Sequence, residues 1–191
     1  MQSTPVSGGA IASEVMIVGQ APGPREPLLQ RPFAHTAGRT LFQWLEKFCR
    51  LNEAEVRSTM YFAAVCRCFP GKNSGGTDRV PAPEEVHNCS SWMNNEIEIL
   101  QPRLVIPMGR LAINQFIVCT KLEQVIGRKY RVTRAGHAFD LIPLPHPSGA
   151  SPWHKIAPGR ELTQRALGKI ARHPVIRDIR NLQRPTPNWR T

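Results

Sequence analysis

Short apolar blocks alternate with polar, glycine-rich stretches along this chain, and the length of each block separates strands from helices. Val15 to Val18 is four apolar residues running into Gly19, which predicts a short buried strand followed by a glycine-proline loop over residues 19 to 38. Leu41, Trp44, Leu45 and Phe48 recur at i, i+3, i+4 and i+7, one apolar face of a helix. Met60 to Cys66 reads as a second strand ending at Pro70-Gly71, with GKNSGGTD, residues 71 to 78, as a mobile loop.

Pro83 followed by Glu84 and Glu85 opens a helix, because proline fits the first turn and acids complement the positive end of the dipole. Val86, Cys89, Met93, Ile97 and Leu100 continue it at helical spacing. Leu104 to Met108 predicts a third strand closed by Gly109, with a helix over 110 to 118. Residues 129 to 145 read as a hairpin turning at Ala135-Gly136, whose second arm, Phe139 to Leu144, runs into Pro145-His146-Pro147-Ser148. Leu162, Ala166, Leu167 and Ile170 make a last helix, and RPTPNWR reads as a loose tail. Strands alternating with helices in this way predict a mostly parallel sheet covered on both faces, with ligands bound beyond the carboxyl ends of its strands.

At 191 residues the chain has the length of one domain, and 41% hydrophobic residues give it a core of its own. No apolar stretch is long enough for a membrane span and the first residues lack a signal-peptide layout, so a soluble, cytoplasmic protein is expected. The net charge of +11 changes the picture more, since it favours a polyanionic partner. From Ser151 to Thr191 there are nine Lys or Arg against two acids, so most of the excess charge sits in this segment.

Five cysteines, an odd number, and no export signal argue against a disulfide framework in this chain. Cys66, Cys68, His87 and Cys89 could be written as C-x-C and H-x-C, but the spacing is not that of zinc knuckles, and buried reduced thiols are the favoured reading.

Two segments fall at the ends of predicted strands: GQAPGPREPLLQRPFAHTAGRTL, residues 19 to 41, and LPHPSGAS, residues 144 to 151. The Gly-x-Ala-Pro-Gly turn, then Arg-Pro-Phe and Ala-Gly, a strand into Cys-x-x-Pro, a Pro-x-Pro-Glu-Glu helix, QPRLVIPMG and a final HPS together resemble the uracil-DNA glycosylase superfamily over roughly residues 14 to 172. The likeness is strongest to its bacterial and archaeal branches that carry an iron-sulfur cluster. It implies a single three-layer α/β/α domain with a short, mostly parallel four-stranded sheet. It also implies a monomeric, monofunctional enzyme that flips a uracil or another damaged base out of DNA and hydrolyses its glycosidic bond with no cofactor in the chemistry. In domain terms, we expect a flexible N-terminus over 1 to 13, the glycosylase domain over 14 to 175 and a basic tail over 176 to 191.

The resemblance assigns roles residue by residue. His146 stands at the HPS histidine, which bonds to the base O2 as charge develops there, and Phe33 at the aromatic that stacks on the flipped base. Gly19, Gln20, Ala21, Pro22 and Gly23 form the first motif. Ala21 replaces the water-activating aspartate of the classical branch, so Gln20 can only orient water; another branch's aspartate falls at His35-Thr36, and it is missing too. Glu26 is the one carboxylate left in that motif, aligned with an acid of the cluster-bearing branch. Ala64 stands where an asparagine reads the pyrimidine, and Gly23 where a tyrosine excludes thymine, so base choice is open.

Of four cluster cysteines, two persist, as Cys68 or Cys66 and as Cys89, while the pair preceding the first strand has no counterpart; an iron-sulfur cluster needs four thiolates, and none is expected. Pro147, Ser148, Gly149, Ala150 and Ser151 form the loop that meets the minor groove, Trp153 is the candidate wedge into the vacated stack, and Arg160 a phosphate contact. Two rivals stand beside this reading: a weakly active or inactive uracil or abasic-site binding protein on the same fold, and a small-molecule hydrolase of doubly wound fold, against which the basic segment argues.

Overall fold

The computed structural model describes residues 1–149 and 151–183; Ala150 and the RPTPNWR tail lie outside the described residues. Five strands form one sheet in the order β2-β1-β3-β5-β4. They are β1 (Val15–Gly19), β2 (Tyr61–Ala64), β3 (Leu104–Pro107), β4 (Tyr130–Arg134) and β5 (His137–Leu141). The first four neighbours run parallel, Ile17 opposing both Phe62 and Ile106, and β4 is an antiparallel edge joined to β5 by the hairpin at Ala135-Gly136. Among the described residues the count is therefore five strands and not four, because both arms of that hairpin join the sheet.

Central β1 is buried along its whole length, as a parallel strand covered on both faces must be. Its alternation divides the core: Val15 and Ile17 belong to one apolar cluster, Met16 and Val18 to the other. The first cluster packs under α2 (Thr36–Cys49) and α7 (Gly159–Arg172), the second under α4 (Pro83–Leu100). This is the three-layer arrangement.

Shorter helices lie in the connections: α1 (Glu26–Leu29), α3 (Glu53–Thr59), α5 (Arg110–Ile113) and α6 (Leu122–Val125). Helix α3 is announced by a reciprocal cap, Asn52 accepting from the Glu55 N–H at 3.0 Å while Glu55 accepts from the Asn52 N–H at 2.7 Å. The helix expected over 110 to 118 stops as α5 at Ile113, and the loop beyond is tied by Asn114 accepting from the Cys119 N–H at 2.7 Å.

The expected boundaries at both ends move. Residues 1 to 13 are packed and not loose: Gln2 and Val6 donate their backbone N–H groups to the carbonyls of Phe69 and Arg67, and Val6 and Ser13 are buried. At the other end α8 (Pro174–Leu182) spans the expected boundary at 175 and buries Val175, Ile176 and Ile179. Pro174 at its first turn and the His173 ring accepting from the Val175 N–H start it.

Candidate active site

The carboxyl ends of β1 and β2, the loops that follow them and the segment following β5 open into a cavity of about 700 Å³. Gly19, Gln20, Ala21, Pro22, Gly23, Glu26, Phe33, Ala64, His146, Ser148 and Gly149 all line it, so the two sequence motifs meet in one place. The meeting follows from topology: β1 delivers the first motif, and β5, two strands away, delivers the second.

Phe33 is fixed from several sides. Its backbone is left-handed (φ 53), and Arg57 on α3 donates to the carbonyls of Pro32 at 3.0 Å and Phe33 at 3.1 Å, holding the loop in that shape. The ring lies against Phe62, with centroids 5.8 Å apart, and over Gly19, where a Cβ would come within 2.9 Å of its tip. Gly38 allows the same loop to close, since a Cβ there would meet the Phe33 carbonyl oxygen at 1.8 Å. Gly19 and Gly38 are thus spaces for one phenylalanine.

His146 is fixed through one nitrogen. The Ser148 N–H donates to His146 Nδ1 at 3.2 Å, so the neutral ring carries its proton on Nε2 and has that donor left for a molecule in the cavity. Burial holds the imidazole below the usual histidine range and His154 adds to the drop, while the negative charge of Asp78 opposes it. Gly109 supports the ring from below, its φ of +83 and missing side chain leaving room for His146 Cβ.

Glu26 sits in the cavity wall but is used by the loop itself. One oxygen accepts from the Gly23 N–H at 2.5 Å and the other from the Ala34 N–H at 3.1 Å. The carboxylate is therefore a clasp joining both ends of the first motif, a different role from the catalytic one that the sequence suggested. Gln20 keeps its side chain free: its backbone carbonyl continues the β1–β2 pairing by accepting from the Cys66 N–H, and among the described residues its amide makes no hydrogen bond.

The remaining predicted contacts lie away from the cavity. Pro147 is buried under the loop, and the Ser151 N–H donates to Ser148. Trp153, in a single 3-10 turn (Pro152–Lys155), packs its ring on Gly159 and the core cluster, where a Cβ would meet the ring at 2.6 Å; it is a packing residue and not an exposed wedge. Arg160 is exposed and paired with Glu161 at 2.8 Å.

The sequence reading passed over Asp78. The 71 to 78 segment is a small ordered hairpin and not a mobile loop: Lys72 and Asp78 form an antiparallel bridge, Asn73 and Thr77 bond through backbone and side chains, and Arg79 then pairs with Glu85 at 2.7 Å. This places Asp78 and Arg79 in the cavity wall. Composition gave no signal, because Gly, Asn, Ser and Thr serve tight hairpins and open loops alike.

The sequence pattern of the Uracil DNA glycosylase superfamily matches residues 6–169. The chain belongs to the uracil-DNA glycosylase superfamily. It is 32% identical over 142 residues to a type-4 uracil-DNA glycosylase of Archaeoglobus fulgidus, a stretch covering 71% of this chain and 66% of that protein, just under two thirds of its length. A type-4 uracil-DNA glycosylase of Thermotoga maritima is 30% identical over 151 residues, 75% of this chain and 69% of that protein. A type-5 uracil-DNA glycosylase of Pyrobaculum aerophilum is 41% identical over 63 residues, 33% of this chain and 25% of its own.

The cluster of the superfamily's iron-sulfur branches does not fit the cysteines present. Burial, together with the neighbouring Cys89, pushes the Cys66 thiol up to about 12, and Cys68 is close enough to feel Cys89 as well. Cys49 and Cys119 are buried in the other apolar cluster, across the sheet. Among the described residues no three His, Cys, Asp or Glu side chains are placed to hold a metal ion. No helix among them is long and apolar enough to cross a membrane.

Proposed function

We propose that this chain is a DNA glycosylase that takes a deaminated base, uracil first, out of the helix and hydrolyses its N-glycosidic bond, leaving an abasic site. The observation that carries this reading is His146, held by Ser148 as the Nδ1 acceptor with its Nε2–H left for the cavity. The type-4 relatives named above and the +11 charge support DNA as the substrate.

The chemistry follows from what the wall offers. A base turned out of the stack rests on the Phe33 ring, regaining part of the lost stacking. The bond from C1′ to the base breaks with its electron pair moving onto the base, and His146 Nε2–H meets the carbonyl oxygen where that charge gathers. A donor fixed before the reaction needs no reorganisation as the charge appears. Water adds to C1′, oriented by the Gln20 amide, and its proton leaves to solvent. Among the described residues no lysine lines the cavity, which supports hydrolysis by water over attack by an amine. Because Ala21 offers no carboxylate and Glu26 is engaged, electrostatic stabilisation of the departing base supplies most of the acceleration.

That same engagement of Glu26 favours a second reading, a protein that binds flipped or abasic sites with little turnover. Incubation with uracil-containing oligonucleotides followed by alkali separates the two. Strand breaks at uracil are the expected result; tight, salt-sensitive binding without breaks would establish the second reading instead.

A further inference from the structure

Helix α1 stands on the rim of the cavity and presents leucine to water. Arg25 and Glu26 at its start and Pro32 and Phe33 beyond its end line the cavity, and between them Leu28 is 85% exposed and Leu29 57% exposed. Single exposed leucines are ordinary on a protein surface, but two in succession beside a cavity make an apolar edge. The turn that carries them is tied down. The Glu26 clasp fixes its start, the Gln30 side chain donates to the Pro27 carbonyl at 2.6 Å, and Arg31 pairs with Glu53 on α3 at 3.0 Å. The leucines are thus held out in a position set before anything binds. Arg25 and Arg39, both exposed and without an ion pair among the described residues, give this rim the charge that meets phosphate.

We propose that Leu28 and Leu29 hold the duplex open, entering the stack beside the nucleotide drawn into the cavity from the side of the first motif. This rests on the glycosylase reading given above. A base that leaves the helix vacates a gap with apolar faces, and an apolar side chain placed there replaces part of the lost stacking and keeps the base from falling back. The second motif offers no large apolar side chain free for this work: residues 147 to 151 are Pro, Ser, Gly, Ala and Ser, and the Trp153 ring is packed on Gly159. Two leucines left in water by the free protein regain burial only where a gap receives them. Their contribution therefore favours a duplex with a flipped or missing base over an intact one.

The test measures single-turnover uracil release by the full chain from a single strand and from a duplex, for wild type, Leu28→Met and the double variant Leu28→Ala with Leu29→Ala. A single strand has no stack to hold open. The double variant should therefore lose about tenfold or more on the duplex, the order expected when a buried leucine is removed, and almost nothing on the single strand. Leu28→Met keeps an apolar side chain of similar size and should behave as wild type. The ratio between the two substrates is the readout, so a general loss of activity in a variant cancels. An equal loss on both substrates, no loss on the duplex, or a wild type that acts on the single strand alone would overturn the proposal. Failure of wild type to release uracil from either substrate would instead defeat the glycosylase reading, and binding would then decide the role of the leucines. Wild type should prefer a duplex with a tetrahydrofuran abasic site over an intact duplex and the double variant should lose that preference; a preference that survives would overturn the proposal.

Discussion

The tip of the Phe33 ring occupies the space that a side chain on Gly19 would need, a Cβ there coming within 2.9 Å of it. The stacking surface of the cavity and the end of the central strand are thus one packing arrangement. Gly19→Ala should push the ring towards the cavity, weakening uracil release by reducing room for a flat base while leaving the fold intact. Gly38→Ala is harsher, because the group in its way at 1.8 Å is the Phe33 carbonyl that Arg57 holds, and neither can yield cheaply. Thermal melts beside excision rates distinguish them: a rate loss with little change in melting for Gly19→Ala, and a clear fall in melting temperature for Gly38→Ala.

Glu26→Gln tests the clasp. A glutamine oxygen can accept from only one side, so its NH2 must face the N–H of either Gly23 or Ala34 with no acceptor between them. Leaving one such donor unsatisfied costs about 1–3 kcal/mol, and the expected outcome is a lower urea midpoint with faster proteolysis in residues 19 to 38. Unchanged stability with lost turnover would return Glu26 to the catalytic role read from the sequence.

The sheet and its large helices were legible because the periodicities are unambiguous: four apolar residues before Gly19 make a strand, and Leu41, Trp44, Leu45 and Phe48 make a helix face. Both motif ends of the cavity were legible through the resemblance. What stayed hidden depends on pairs far apart in the chain. Arg57 and Phe33 meet only because α3 folds back on the motif loop, and Asp78 reaches the cavity only because its hairpin closes. Helix α8 escaped notice because its short stripe of Val175, Ile176 and Ile179 is interrupted by charged residues that read as a tail. Trp153 read as a candidate wedge beside Pro152, and Gly159 gives it a place to pack instead.

Replacing His146 removes an interaction made mainly as the base departs, so turnover should fall far more than binding. His146→Ala should lower single-turnover excision by about 100-fold to 1,000-fold, the range for deleting one preorganised donor. Near-normal excision would reduce the HPS loop to a DNA-gripping element.

Lys155, Arg165, Lys169 and Arg172 lie on or beside α7, which follows the HPS loop in the chain, so phosphate contacts there should release counterions. Affinity for a uracil-containing duplex should fall steeply between about 50 and 200 mM salt, and replacing two of these residues with Gln should flatten the slope. A slope unchanged in the double variant would put the DNA on another face.

His173 supplies a pH dependence separate from catalysis. Its Nδ1 accepts from the Val175 N–H at the start of α8, and its Nε2 lies 3.1 Å from Asp140, so the folded state uses the neutral ring. Burial lowers its folded pKa from 6.5, and Asp140 recovers only part of that loss. Between the folded and unfolded values the unfolded chain binds the extra proton, so stability rises with pH there. The contribution is complete above pH 6.5, shrinks as pH falls below it, and levels off beneath the folded value. Asp140, whose own pKa is lowered by Lys129, His173 and Arg131 against its burial, acts in a different window, losing its contribution only as pH falls below 3.8. His146 and His154 shift in the same direction as His173, so the decisive comparison is between wild type and His173→Asn, in which the side chain can still cap α8 but cannot titrate. Urea midpoints measured from pH 7.5 down to 5 should fall more steeply for wild type than for the variant; parallel curves would mean that His173 keeps its proton equilibrium unchanged on folding.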